Sequence, residues 1–203
     1  MADEIVNLYY DYKSPFTYLA MQPMYDLEKA YRIALRCIPL ELNIKGAFGG
    51  TLDQRDERNW RKVRYLYLDA RRYANARGLV LRGPQKIFDS RLSLMSGMWA
   101  DRHGKFRPYS DRVFERFFKR ELDIEDGSAL AKVMAEVGLD AAGFAKYVLG
   151  DGPRELQAAA EEAEREGVFG VPTMIVAGEP FWGNDRVEWI AKKLDAMSLR
   201  RSG

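Results

Sequence analysis

The sequence predicts an α/β fold: one sheet built from a βαβ half and a ββα half, with a block of helices inserted between the halves. Three observations carry this. Near the start, Ile5–Tyr10 is a short apolar, β-prone run, followed by a helical period and then an alternating run over residues 32–37. Near the end, Gly167-Val168-Phe169-Gly170-Val171-Pro172-Thr173-Met174-Ile175-Val176 sets a proline directly before a second apolar run. That run turns at Ala177-Gly178-Glu179 and returns as Pro180-Phe181-Trp182. Between these ends, from Glu41 to Gly150, helical periods dominate. The halves therefore span residues 1–40 and 151–203, and the insertion residues 41–150.

Taken in order, Ile5–Tyr10 reads as a buried strand and Asp11-Tyr12-Lys13 as the loop after it. Ser14-Pro15 starts a helix, because serine is a good N-cap and proline is tolerated at the first helical position. Phe16, Leu19, Ala20, Met24, Leu27 and Tyr31 continue it at helical spacing, and Pro23 inside the run should kink or split it. The strand over residues 32–37 closes before Pro39, and a strand–helix–strand unit of this length makes the two strands parallel. Residues 44–51 form a glycine-rich loop without the spacing of either phosphate-binding fingerprint. Helices follow over residues 56–77, 88–103, 107–121, 127–137, 140–149 and 153–166, bounded by glycine, proline and acidic caps.

At the C-terminal half, Pro172 stands at the first residue of a strand, where it costs no ladder donor. The Val171-Pro172 bond is expected to be cis, turning the Val171 N–H and C=O out of the sheet and toward an extended peptide. Gly183-Asn184-Asp185-Arg186 opens a final amphipathic helix, with Asn184 and Asp185 as its N-cap pair.

Composition narrows the function. The chain has 203 residues, against a prior of about 150 per domain, with 47% hydrophobic residues for a real core. Charged residues reach 31%, yet the net charge is only +2, which leaves no broad basic footprint for nucleic acid. One cysteine excludes an internal disulfide and, with one histidine, supplies none of the usual metal sets. No run approaches the ~20 apolar residues of a membrane span, and Met-Ala-Asp-Glu leads straight into a strand pattern, so a soluble, cytoplasmic protein is expected. His103, in Asp-Arg-His-Gly, reads as a helix end, and Cys37 as a small buried hydrophobe.

The chemistry centres on Ser14. Unpaired N–H groups and the dipole at a helix start favour negative charge, so a thiol placed there loses its proton more readily. Serine offers an O–H donor but no redox chemistry, so the thiol must come from outside.

Asp11-Tyr12-Lys13-Ser14-Pro15-Phe16-Thr17-Tyr18-Leu19-Ala20, then Val168-Phe169-Gly170-Val171-Pro172-Thr173-Met174 and Phe181-Trp182-Gly183-Asn184-Asp185-Arg186, resemble the signatures of the 2-hydroxychromene-2-carboxylate isomerases. Lys62-Val63-Arg64-Tyr65-Leu66, with Asp69 and Arg72-Tyr73-Ala74, is similar to that family's first inserted helix. The family comprises glutathione-dependent relatives of kappa-class glutathione transferases within the DsbA-type thioredoxin-like proteins. The resemblance implies a thioredoxin-like (DsbA-type) fold with an inserted all-helical domain, glutathione as cofactor, a small aromatic substrate from aromatic catabolism, and a homodimer. It makes Ser14 the catalytic serine beside the glutathione sulfur, and Val171, ahead of Pro172, the residue whose backbone pairs with the glutathione peptide. Trp182, Gly183, Asn184 and Asp185 hold its γ-glutamyl end, Lys62 is associated with the same site, and the substrate lies near Gly50, Thr51 and Phe88. Thr51 stands where the family often has asparagine. A kappa-type transferase would use the same thiolate and keep the adduct. A non-catalytic glutathione- or peptide-binding module would keep the Val171-Pro172 platform. A dithiol oxidoreductase needs a cysteine pair that this chain lacks.

Overall fold

Strand β1 (Glu4–Tyr10) lies between β2 (Ile33–Pro39) and β3 (Thr173–Val176), and β4 (Glu179–Trp182) pairs on the far side of β3, in a computed structural model that describes residues 3–201. β1 and β2 are parallel, as the βαβ pattern requires, and β3–β4 is antiparallel, as the hairpin pattern requires; β1 and β3 also pair antiparallel. β2 runs past Cys37 to Pro39. The proline ends the ladder at no cost, because the next donor, Leu40 N–H, reaches the Tyr10 carbonyl at 2.9 Å.

Helix α1 (Pro15–Ala30) is neither stopped nor divided at Pro23. Proline has no N–H for the carbonyl four residues back, which here belongs to the buried Leu19. The Arg77 guanidinium donates to that carbonyl instead. Arg77 ends α3 (Glu57–Ala76), so the gap in one helix is filled from another.

The expected loop over residues 44–51 contains a one-turn helix, α2 (Ile44–Ala47). Asn43 caps it by accepting from Gly46 N–H at 2.8 Å, and only Gly49 and Gly50 turn back with positive φ. The helices α4 (Arg91–Arg102), α5 (Phe106–Lys119), α6 (Gly127–Glu136), α7 (Ala141–Leu149) and α8 (Gly152–Arg165) follow. α4 begins at Arg91 rather than Phe88. The Asp89 carboxylate accepts from Arg91 N–H at 2.9 Å ahead of the first turn, leaving Phe88 in the irregular segment before the helix. A 3₁₀ turn over Asn184–Arg186 leads into α9 (Val187–Ala196), and no side chain caps either element. Asn184 and Asp185 are therefore not an N-cap pair. Among the described residues no helix is long and apolar enough to cross a membrane.

The pleat sorts the core. Val6, Leu8 and Tyr10 face a large apolar cluster that continues through α1, α4, α5, α6 and α9. Tyr9 points the other way, to a smaller cluster with Ile38, Val171, Ile175 and Ala159 and Ala163 of α8. The approach of α4 to β1 depends on Gly97, where a Cβ would stand 2.4 Å from the Tyr10 hydroxyl. α8 is also tied to the sheet by paired Arg36 and Glu162 and by the Tyr9 hydroxyl donating to Glu166 at 2.8 Å.

Arg77→Met should destabilise the protein by about 1–2 kcal/mol, because it leaves the Leu19 carbonyl unanswered. In a Pro23→Ala background the helix regains its own donor, so the penalty should shrink. A double-mutant cycle by urea denaturation checks both, and equal penalties in the two backgrounds would refute the link.

Candidate active site

The loop leaving β1 is held from inside. Asp11 is fully buried and accepts from Lys13 N–H at 3.0 Å and Leu42 N–H at 2.8 Å. Burial pushes its carboxyl above the usual range, against the nearby Lys13 ammonium and these two donors. Lys13 itself donates to the Leu42 carbonyl at 3.1 Å. The loop is thereby clamped against the segment after β2, and Ser14 is delivered to the start of α1.

Ser14 is 3% exposed. Its Oγ accepts from Thr17 N–H at 3.1 Å, the expected cap, and donates to the Val171 carbonyl at 3.3 Å. The Val171-Pro172 bond is cis. The Pro172 carbonyl accepts from Gly183 N–H at 3.0 Å, and the Thr173 hydroxyl donates to the Gly170 carbonyl at 2.7 Å, so the loop is fixed on both sides of the bond. Among the described residues nothing accepts from Val171 N–H.

This corner opens into a cavity of about 610 Å³. Ser14, Val171, Phe169 and Trp182 line it from the sheet side, and Phe48, Arg55, Trp60, Tyr67, Phe88 and Phe117 from the inserted helices and loops. Phe169 and Trp182 stack edge to face with centroids 4.8 Å apart and form an exposed apolar rim. Phe88 packs on Phe117 in the same geometry at 5.1 Å. The lining is thus mostly apolar and aromatic with a few polar groups, the usual character of a small-ligand site.

The residues singled out from the sequence divide accordingly. Ser14, Val171, Trp182 and Phe88 meet in the cavity wall, and Pro172, next in the chain after Val171, does not line it. Gly183, at φ 115, Asn184 and Asp185 follow Trp182 beyond that wall. Asn184 is buried with an unpartnered Nδ2, and the exposed Asp185 pairs with Arg186 at 3.4 Å. Gly50 and Thr51 do not line the cavity, although their neighbours Phe48 and Leu52 do, and Lys62 is exposed on α3 and does not line it either. Lys13, Arg55, Trp60 and Tyr67 were not singled out. In a charged helix and its approach, a cation reads as solvated surface, and only tertiary packing turns these side chains inward.

The remaining reactive groups lie elsewhere. Cys37 is in β2, and burial pushes its thiol well above the ordinary range. His103 ends α4, with Nδ1 2.7 Å from the Trp99 carbonyl. No cluster of metal-ligating side chains occurs among the described residues.

A parallel pair extended by an antiparallel hairpin, with a cis-proline strand start facing a capped helix, defines a thioredoxin-like protein of the DsbA type, and a model of the DsbA-like thioredoxin domain matches residues 5–195. The chain is 30% identical over 187 residues to the 2-hydroxychromene-2-carboxylate isomerase of Pseudomonas putida, covering 90% of each chain. It is 25% identical over 190 residues to that of Sphingobium xenophagum, covering 93% of this chain and 97% of the other. A solved 2-hydroxychromene-2-carboxylate isomerase structure superposes with a TM-score of 0.81 at 27% identity, covering 96% of both chains. This chain belongs to the 2-hydroxychromene-2-carboxylate isomerase family.

Ser14→Ala removes the acceptor for Thr17 N–H, and the unfolding free energy should fall by about 0.5–2 kcal/mol. Chemical denaturation measures it, and an unchanged midpoint would show that the cap contributes nothing.

Proposed function

We propose that this protein is a glutathione-dependent cis–trans isomerase of the 2-hydroxychromene-2-carboxylate type, acting on an aromatic-degradation intermediate. The observation that carries this is the Ser14 hydroxyl at a helix N-terminus beside Val171, opening into an aromatic-lined cavity.

The residues fit glutathione. Among the described residues Val171 N–H has no acceptor and the Val171 carbonyl holds only the long bond from Ser14, so one residue offers a donor and an acceptor to an extended peptide. Trp182, Gly183, Asn184 and Asp185 are the proposed seat of the γ-glutamyl end. Asn184 Nδ2 is free to donate, and the Asp185 carboxylate is available to an amino group.

The chemistry that glutathione supplies when bound is a thiolate able to add reversibly to a conjugated carbon, turning a double bond into a single bond about which the substrate rotates. The rest falls to the protein. The Ser14 proton sits on a 3.3 Å bond to Val171, at the long edge of hydrogen bonding, and can turn to an anionic sulfur, a better acceptor. The N-terminus of α1 adds a favourable field for the same charge. Phe88 and Phe117, with Phe48 and Trp60, hold an aromatic ring and exclude water.

Ser14→Ala should raise the pH at which the bound thiol ionises and lower turnover at neutral pH by on the order of ten- to hundredfold, the worth of one hydrogen bond to a charged acceptor. The assay is the ultraviolet change as a hydroxychromene carboxylate equilibrates with its open-chain isomer, with and without glutathione. Turnover independent of glutathione, or unaffected by the substitution, would reject the mechanism. Conjugation of chlorodinitrobenzene without isomerisation would assign transferase chemistry instead. By calorimetry, Asp185→Ala should weaken glutathione binding about tenfold, and an unchanged affinity would remove Asp185 from the site.

A further inference from the structure

Three cations reach the lining of the cavity: Lys13, Arg55 and Lys86. Two are already answered. Lys13 Nζ donates to the Leu42 carbonyl and lies 3.5 Å from Asp11 and 3.7 Å from Glu41. Lys86 Nζ is 2.5 Å from Glu125 and 3.5 Å from Asp123. Arg55 has no carboxylate or carbonyl partner among the described residues, and its Nε is buried without any hydrogen bond. The carboxylate beside it in the chain, Asp56, is turned away to cap α3, accepting from Asn59 N–H at 2.7 Å.

The surroundings of Arg55 are aromatic. Its Cζ lies 5.3 Å from the Trp60 ring and 5.8 Å from the Phe48 ring, both in the cavity wall. The Tyr67 hydroxyl is in the same region: burial pushes it up, and the Arg55 charge opposes the shift. Rings can hold a guanidinium in place, but they accept no N–H bond in its plane, so the buried Nε–H stays unanswered. A buried guanidinium donor with no acceptor is costly, and a planar carboxylate is the group that best meets it, through two parallel N–H···O bonds. A carboxylate carried on an aromatic ring would also lay its ring against Trp60 and Phe48.

We infer that Arg55 selects anionic substrates, pairing with the carboxylate of an aromatic acid whose ring packs on Trp60 and Phe48. This rests on taking the cavity as the isomerase site. It adds that the wall from the inserted block reads the charge of the substrate, while the Ser14 corner addresses its conjugated carbons. Arg55 is a specificity determinant and takes no part in the chemical step.

The test uses two unreactive ligands of one shape, coumarin-3-carboxylate and neutral coumarin. Their affinities are measured by calorimetry on the parent protein and on Arg55→Met and Arg55→Lys. The parent should bind the acid more tightly than the neutral compound by on the order of ten- to hundredfold. Arg55→Met should abolish that preference while leaving the affinity for coumarin unchanged, and Arg55→Lys, a point charge without the fork, should keep part of it. Circular dichroism monitors folding, and if Arg55→Met does not fold, Arg55→Gln replaces it. No preference in the parent, or a preference that survives loss of the charge, overturns the inference. So does an equal loss of both ligands in a folded variant, which would make Arg55 a packing residue. Because no turnover is required, absence of isomerisation would count against the proposed reaction alone. A parent without acid selectivity, or a selectivity that survives Arg55→Met, would count against Arg55 alone.

Discussion

β1 carries ladder hydrogen bonds on both edges, parallel to β2 and antiparallel to β3, and Val6, Leu8, Tyr9 and Tyr10 have no exposed surface. That double pairing places the site. Tyr9 lies opposite Thr173, so the chain leaving β1 must pass the chain entering β3. Ser14 and Val171, separated by 157 positions in the sequence, meet there. The fully buried Asp11 then removes the slack, tying the loop to Leu42 and through Lys13 to Glu41. A buried carboxylate is costly unless its acceptor sites are filled. Here the two backbone donors and one ammonium that fill them belong to the segments whose relative position matters most.

The ends of the fold were legible because their signals are local. Ser14-Pro15 states a helix start by its own chemistry, Val171-Pro172-Thr173 states a strand start, and the Ala177-Gly178 turn, at φ 48 and 78, closes a tight hairpin. Pro23 suggests a kink or split, and no local signal shows that the helix runs on undivided, because the donor that replaces the missing N–H comes from Arg77, far along the chain. The helical period over residues 88–103 takes in Phe88, whereas the helix itself starts only at Arg91, whose N–H the Asp89 carboxylate accepts.

The site was half visible. Ser14, Val171 and Trp182 could be picked out because each stands in a motif that a short stretch of sequence specifies. Arg55 could not: an arginine among Asp53, Asp56 and Glu57 looks like one more solvated charge. Its significance lies in what those neighbours do instead of pairing with it, and that depends on the cap of α3 and the placing of Phe48 and Trp60. Lys62 shows the converse, being selected by likeness alone while its side chain stands in solvent outside the cavity wall.

The central place of β1 also matters during synthesis. The ribosome releases β1, α1 and β2 long before β3 and β4, so through most of translation one edge of β1 has no partner and its N–H and C=O groups face outward. An open apolar edge is a template for pairing with other chains. The inserted helices emerge in that interval, and the large core cluster joins them to the inner face of β1. They can shelter that face of the nascent strand, but the edge itself stays open until the terminal hairpin arrives to cover it.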